Sequence, residues 1–176
     1  MKIKMLTSSL LLFLSFGISD VITVGGDIDS DVTWSSDNTY YLNSQAFVKD
    51  GVTLTIEAGT EIFGRYDANY SADNPAPCLV VEQGGKIMAE GTAAAPITFM
   101  SELESTDANY GNGRGLWGGL IINGYAPIAN EGGTANVEGL TGVPYGGTDP
   151  DDNSGVLRYV RVWNGGSSIA PDNEIN

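Results

Sequence analysis

The sequence predicts an all-β fold wound as a parallel β-helix, and a strand pattern and a repeated corner carry that prediction. Residues 52–63 read Val-Thr-Leu-Thr-Ile-Glu-Ala-Gly-Thr-Glu-Ile-Phe. Val52, Leu54 and Ile56 alternate with Thr53, Thr55 and Glu57 until Ala58-Gly59-Thr60 breaks the run, and Ile62-Phe63 starts another strand at once. Alternation of period two puts one set of side chains on one face of an extended chain, as a half-buried strand requires. Short apolar strands also end repeatedly in a polar residue and then glycine, at Gly51, Gly84, Gly124 and Gly165, spaced by 33, 40 and 41 residues. A polar residue tolerant of left-handed backbone, followed by glycine, suits a sharp bend between strands. A second echo pairs 55–62 with 87–99, each an apolar strand, a Gly-Thr corner and another apolar strand.

Such repeats mark a solenoid, in which no unit buries its own apolar face and each stacks on the next. The corners redirect the chain rather than reverse it, unlike two-residue hairpin turns. Val, Leu and Ile are expected inside and Thr, Glu and Lys outside, with coils about 4.8 Å apart. A β-sandwich shares the short alternating strands; the strand–corner–strand repeat favours the β-helix.

Taken in order, residues 1–19 read as an export signal. Lys2 and Lys4 precede an apolar run from Met5 to Ile18, and Gly17 and Ser19 stand at the −3 and −1 positions of a cleavage site. The run is short for a membrane span of ~20 residues, so a secreted or cell-surface protein with no span after cleavage is expected. Residues 20–46, with Trp34, Tyr40 and Tyr41, read as strands capping one end. Residues 47–176 read as the coils.

Composition narrows the function. The 176 residues contain 24 glycines, one cysteine and no histidine, with a net charge of −14. Without Lys2 and Lys4, six basic residues face 22 acidic ones, a net charge of −16. Such a surface repels nucleic acid and anionic membranes. Lacking histidine, the chain has no Ser-His or Cys-His nucleophile pair and lacks the commonest zinc ligand. Cys78 alone forms no internal disulfide and reads as a small apolar residue, the alternative being a free thiol that links chains.

Four stretches, at 48–64, 84–99, 117–128 and 155–166, resemble a group of secreted bacterial right-handed β-helix proteins with the pectin-lyase-like fold, largely without assigned activity. The resemblance spans roughly residues 25–176 and implies that more coils follow in those proteins. The last stretch, Gly165 to Asn176, is polar and turn-like and offers no amphipathic cap. An uncapped last coil leaves strand edges open. The chain therefore reads as the N-terminal part of a longer solenoid, the alternative being self-association that covers the open coil.

Candidate chemistry is sparse. Asp149, Asp151, Asp152 and Asn153 put four oxygen-bearing side chains within five residues, enough to start a calcium site. The EF-hand pattern is not met, because Ser154 stands where glycine is expected and Val160 holds the twelfth place. The alternative is a solvated turn with side-chain bonds to its own backbone. Asp27, Asp29 and Asp31 are a weaker acidic group, expected on one strand face. Enzymes of the pectin-lyase-like fold imply polysaccharide cleavage, yet the Gly-His-Gly element of polygalacturonases is missing, and Asp151-Asp152 or Arg158 and Arg161 match only loosely. These arginines are expected in surface ion pairs or stacked on Tyr159 and Trp163. Trp117, Tyr125, Tyr145, Tyr159 and Trp163 supply either a sugar-stacking platform or core. The expected function is a non-catalytic, exported acidic scaffold for adhesion or carbohydrate contact, with a polysaccharide or cell-surface glycan as partner. The alternative is a polysaccharide lyase or hydrolase with its active site in further coils.

Overall fold

The computed structural model describes residues 19–71, 73–103, 107, 110, 113–140, 142–170, 173 and 174. The expected export signal therefore lies outside the described residues, apart from Ser19. Strands β1 (Val21–Ile28), β2 (Val32–Trp34), β3 (Thr39–Val48), β4 (Thr53–Ile56), β5 (Glu61–Gly64), β6 (Cys78–Val81), β7 (Lys86–Glu90), β8 (Ile97–Ser101), β9 (Gly119–Ile122), β12 (Gly155–Arg158) and β13 (Val160–Val162) form the coils. Every pairing among them is parallel. Two short antiparallel pairs stand apart: β10 (Ala135–Asn136) with β11 (Pro144–Tyr145), and β14 (Ser168–Ala170) with β15 (Asn173–Glu174).

Each turn of the solenoid crosses three faces. The first stacks Val21–Val24, the start of β3, β5, β8 and β13. The second stacks Gly26–Ile28, the end of β3, β6 and β9. The third is the sheet β2, β4, β7, β12. Among the described residues the first coil is made by β1 and β2, and β3 belongs to the next one.

The alternation at 52–63 sorts as expected. Leu54, Ile56 and Ile62 are buried inside, and Thr53, Thr55 and Glu61 lie on the other side of their strands. Inward residues continue as columns from coil to coil: Ile22, Tyr40, Ile62, Phe99 and Val162 on the first face; Ile28, Val48, Val81 and Ile122 on the second; Trp34, Ile56, Ala89 and Leu157 on the third. Each large aliphatic side chain fully enclosed in such a column stabilises the fold by about 1.5–3 kcal/mol. Trp34 stacks on Tyr40 with ring centroids 4.9 Å apart, and the Tyr40 hydroxyl accepts the Ser35 N–H at 2.8 Å.

The corner glycines act in two ways. Gly51 and Gly84 adopt left-handed backbone, φ 77° and 80°, as the strand–corner pattern requires. At Gly124 the need is space, since a Cβ there would lie 2.2 Å from Asp152 Oδ2.

The second face departs from the expected polar exterior. All four residues of β6, Cys-Leu-Val-Val, are buried. Leu79 and Val81 enter the main core, while Cys78 and Val80 join Ala76, Ile121, Leu140 and Val143 in a second core outside the coil. The segments 65–77 and 123–154 cover this outer surface, so both sides of the strand are dry, and a strand dry on both sides loses the polar alternation.

Candidate functional site

The longest connection, residues 123–154 between β9 and β12, is fastened to the coils at its base. Gln83 Nε2 donates to Gly124 O at 3.0 Å and Gly146 O at 2.6 Å. The Ser154 hydroxyl donates to Asn123 O at 2.9 Å, and the Gly146 N–H to Gly124 O at 2.9 Å. Gly147 packs so tightly that a Cβ would stand 2.6 Å from Tyr125 O. Leu140 and Val143 anchor the β10–β11 part in the second core. A loop held this firmly presents a fixed surface, and loops on rigid scaffolds are where binding residues concentrate.

Between this loop and β9 runs a groove of about 470 Å³. Leu120, Ile122, Ile128 and Val137 give it apolar walls, with Tyr145, Glu138 and Asn123 as its polar or aromatic members. Asn123 is 5% exposed, and its Nδ2 has no hydrogen-bond partner among the described residues. An unsatisfied buried donor costs about 1–3 kcal/mol, so Asn123 is a point where an added acceptor is favourable. In the sequence Asn123-Gly124 reads only as a corner, and Glu138 carries no signal beyond the length of the insert before the next corner.

The acidic loop faces its own backbone. Asp149 Oδ1 accepts the Asp151 N–H at 3.0 Å, Asn153 Oδ1 accepts the Gly155 N–H at 2.8 Å, and the Ser154 hydroxyl lies 3.4 Å from Asp152 Oδ2. Among the described residues, no group of three or more His, Cys, Asp or Glu side chains is arranged to hold a metal ion. Asp27, Asp29 and Asp31 do not share a strand face: β1 ends at Ile28, so only Asp27 lies in the strand, and Asp31 Oδ1 accepts the Thr53 N–H at 2.7 Å from the corner.

The arginines lie as expected. Arg158 pairs with Glu90 at 3.2 Å across β12 and β7, and Arg161 lies over the Trp163 ring at 5.9 Å. The five aromatics divide. Trp117 is fully buried, stacks parallel to Phe99 at 6.5 Å, and donates from Nε1 to Trp163 O at 2.7 Å. Tyr125, Tyr159 and Trp163 are exposed, and only Tyr145 lines the groove. Cys78 is buried, and burial pushes its thiol up to about 12. At the corner beside the groove, Lys49 and Glu82 form a 2.6 Å ion pair, and that hydrogen bond raises the Lys49 ammonium above its ordinary value. Among the described residues, no helix is long and apolar enough to cross a membrane.

Parallel strands on three faces, stacked columns and an open groove under one long loop define a parallel β-helix of the solenoid class. The family model described as the pectate-lyase-like β-helix domain matches residues 26–176, and the chain belongs to that family. No curated protein and no solved structure matches the chain significantly.

Proposed function

We propose that the protein is an exported, acidic β-helix scaffold, secreted or held at the cell surface, that contacts carbohydrate through the groove beside β9 without cleaving it. The observation that carries this is the composition of the groove. Apolar walls and Tyr145 suit the flat faces of a sugar ring, and Glu138 and Asn123 suit its hydroxyl edges. Of the side chains that loosely match a lyase or hydrolase, Arg158 pairs with Glu90, Arg161 lies over the Trp163 ring, and Asp152 Oδ2 lies 3.4 Å from the Ser154 hydroxyl. The partner is a polysaccharide or cell-surface glycan; the net charge of −14 opposes nucleic acid.

Calorimetric titration against a panel of neutral and acidic polysaccharides, with parallel assays for reducing and unsaturated ends, tests this. Binding without turnover, weakened at least tenfold by Tyr145→Ala, is the expected result. Turnover abolished by Asp151→Ala would refute it in favour of a lyase or hydrolase. Absence of binding across the panel would remove the carbohydrate role.

A further inference from the structure

We infer that Asn69, in the loop between β5 and β6, is an acceptor for N-linked glycosylation, with Asp67 and Ser71 as the residues that position it. Of the 13 asparagines in the chain only Asn69 stands in an Asn-X-Ser/Thr sequence, Asn69-Tyr70-Ser71, so the other twelve are internal controls. Such a sequence is usable only where a surface loop presents it, and the fold meets that condition.

The loop leaves β5 after Gly64 and returns to β6 at Cys78 across the second core. Tyr70, the middle residue of the triplet, is its anchor. It packs against the second core, lies edge-on to Tyr66 with ring centroids 6.4 Å apart, and donates its hydroxyl to Arg65 O. The Tyr66 N–H donates to Glu102 Oε1 at 2.8 Å, which ties the start of the loop to the coil wall. Backbone bonds between Ser71 and Asn74, at 2.9 and 3.1 Å, close the turn that follows. Tyr70 is half-buried, and Asn69 and Ser71 on either side of it are exposed, as are Asp67 and Ala68.

The Asn69 carboxamide is already oriented. Asp67 Oδ1 accepts the Asn69 N–H at 2.8 Å and Asn69 Nδ2 at 3.1 Å, and Asp67 Oδ2 accepts Asn74 Nδ2 at 2.9 Å. Those bonds, the Asn69 N–H foremost, hold the Asp67 carboxyl below its ordinary value, so it stays ionised and only accepts. A carboxamide nitrogen is a weak nucleophile because its lone pair is shared with the carbonyl. A carboxylate on its N–H returns electron density to the nitrogen and fixes its direction. Ser71 Oγ accepts the Asn74 N–H at 3.2 Å and keeps its own proton to donate to a transferring enzyme. In the transfer, Asn69 Nδ2 bonds to the anomeric carbon of an oligosaccharide carried on a lipid diphosphate. The anomeric C–O bond breaks, the lipid diphosphate leaves with the electron pair, and the Nδ2 proton passes to a base of the enzyme. The chain carries its own comparison: Asp67-Ala68-Asn69-Tyr70 recurs as Asp107-Ala108-Asn109-Tyr110, but Gly111 follows there in place of a serine.

The inference rests on the reading of the chain as exported. Incubating the purified chain with a bacterial oligosaccharyltransferase and a lipid diphosphate-linked oligosaccharide, then mapping peptide masses, tests the acceptor without depending on export. Transfer is expected on the tryptic peptide Tyr66–Lys86 and not on Ile87–Arg114, which carries Asn109. Asn69→Gln and Ser71→Ala should abolish it. Asp67→Ala should slow it about tenfold, the worth of one hydrogen bond to a charged group. Asp67→Glu, which keeps the carboxylate, should restore most of the rate. All three positions are exposed, so the variants keep the fold, as circular dichroism verifies. No transfer to the wild-type chain overturns the inference, as does transfer that survives Asn69→Gln or reaches Asn109. A rate unchanged by Asp67→Ala removes the positioning role of Asp67. Leader removal, read from the N-terminal mass of the chain secreted by a bacterial host, tests the export reading separately.

Discussion

Replacing Gly64 by alanine separates local propensity from packing. Gly64 lies inside β5, its φ is outside the left-handed region, and glycine in a strand interior ordinarily costs about 0.5–1 kcal/mol relative to alanine. Propensity alone therefore expects stabilisation. The coils say otherwise, because a Cβ at position 64 would stand 2.5 Å from Trp117 Cβ and 2.6 Å from Trp117 Cγ. Those atoms are close to the backbone, and the indole is held by its stack on Phe99 and its bond to Trp163 O, so the ring cannot swing aside. Overpacking of this kind costs about 1–3 kcal/mol. Subtracting the backbone gain from the middle of that range leaves a net loss of ~1 kcal/mol, a fall in Tm of roughly 2–4 °C for a domain of this size. Thermal unfolding followed by circular dichroism measures it. Gly165→Ala is the control: its Cβ would meet nothing closer than 3.4 Å on ordinary backbone, so its Tm should stay within about 1–2 °C of wild type. A Gly64→Ala protein as stable as wild type, or more so, would show that Trp117 does not occupy the space Gly64 leaves.

Burial raises the Cys78 thiol from its ordinary 9.0 to about 12, so above pH 9 the unfolded chain releases a proton that the folded chain retains. Stability contributed by the neutral thiol is present below pH 9 and falls by ~1.4 kcal/mol per pH unit between about 9 and 12. Urea unfolding at pH 8 to 11 should show that slope, and Cys78→Ala should reduce it. Part should remain, since burial also raises the Tyr70 hydroxyl, which donates to Arg65 O. Equal slopes in the two proteins would refute the thiol's role. For the acidic loop, Asp149 and Asn153 already accept backbone N–H groups of their own turn, so a calcium chelator is expected to leave Tm unchanged; a fall reversed by added calcium would establish a cation at Asp149, Asp151, Asp152 and Asn153.

Much of the architecture was legible along the chain. The alternation at 52–63 puts Leu54, Ile56 and Ile62 inside, where the fold buries them, because period two can satisfy only one buried face at a time. The polar-Gly corners at Gly51 and Gly84 marked real bends with left-handed glycine. Such signals lie within a few residues, where backbone sterics and side-chain direction decide the outcome.

The candidate site was not legible in that way. Nothing near Asn123 in sequence shows that Gln83 and Ser154 would bind its neighbourhood, that its own Nδ2 would go without a partner among the described residues, or that Glu138 and Tyr145 would line the same groove. Nor does the order of residues reveal which aromatics are core: Trp117 fills the room left by Gly64, whereas Trp163 stands in solvent. The sequence by itself determined the strands, their corners and which side faces inward, since those depend on local periodicity. Only the tertiary structure decided the dry outer surface of β6 and the groove beside β9, because each arises where segments distant in sequence meet.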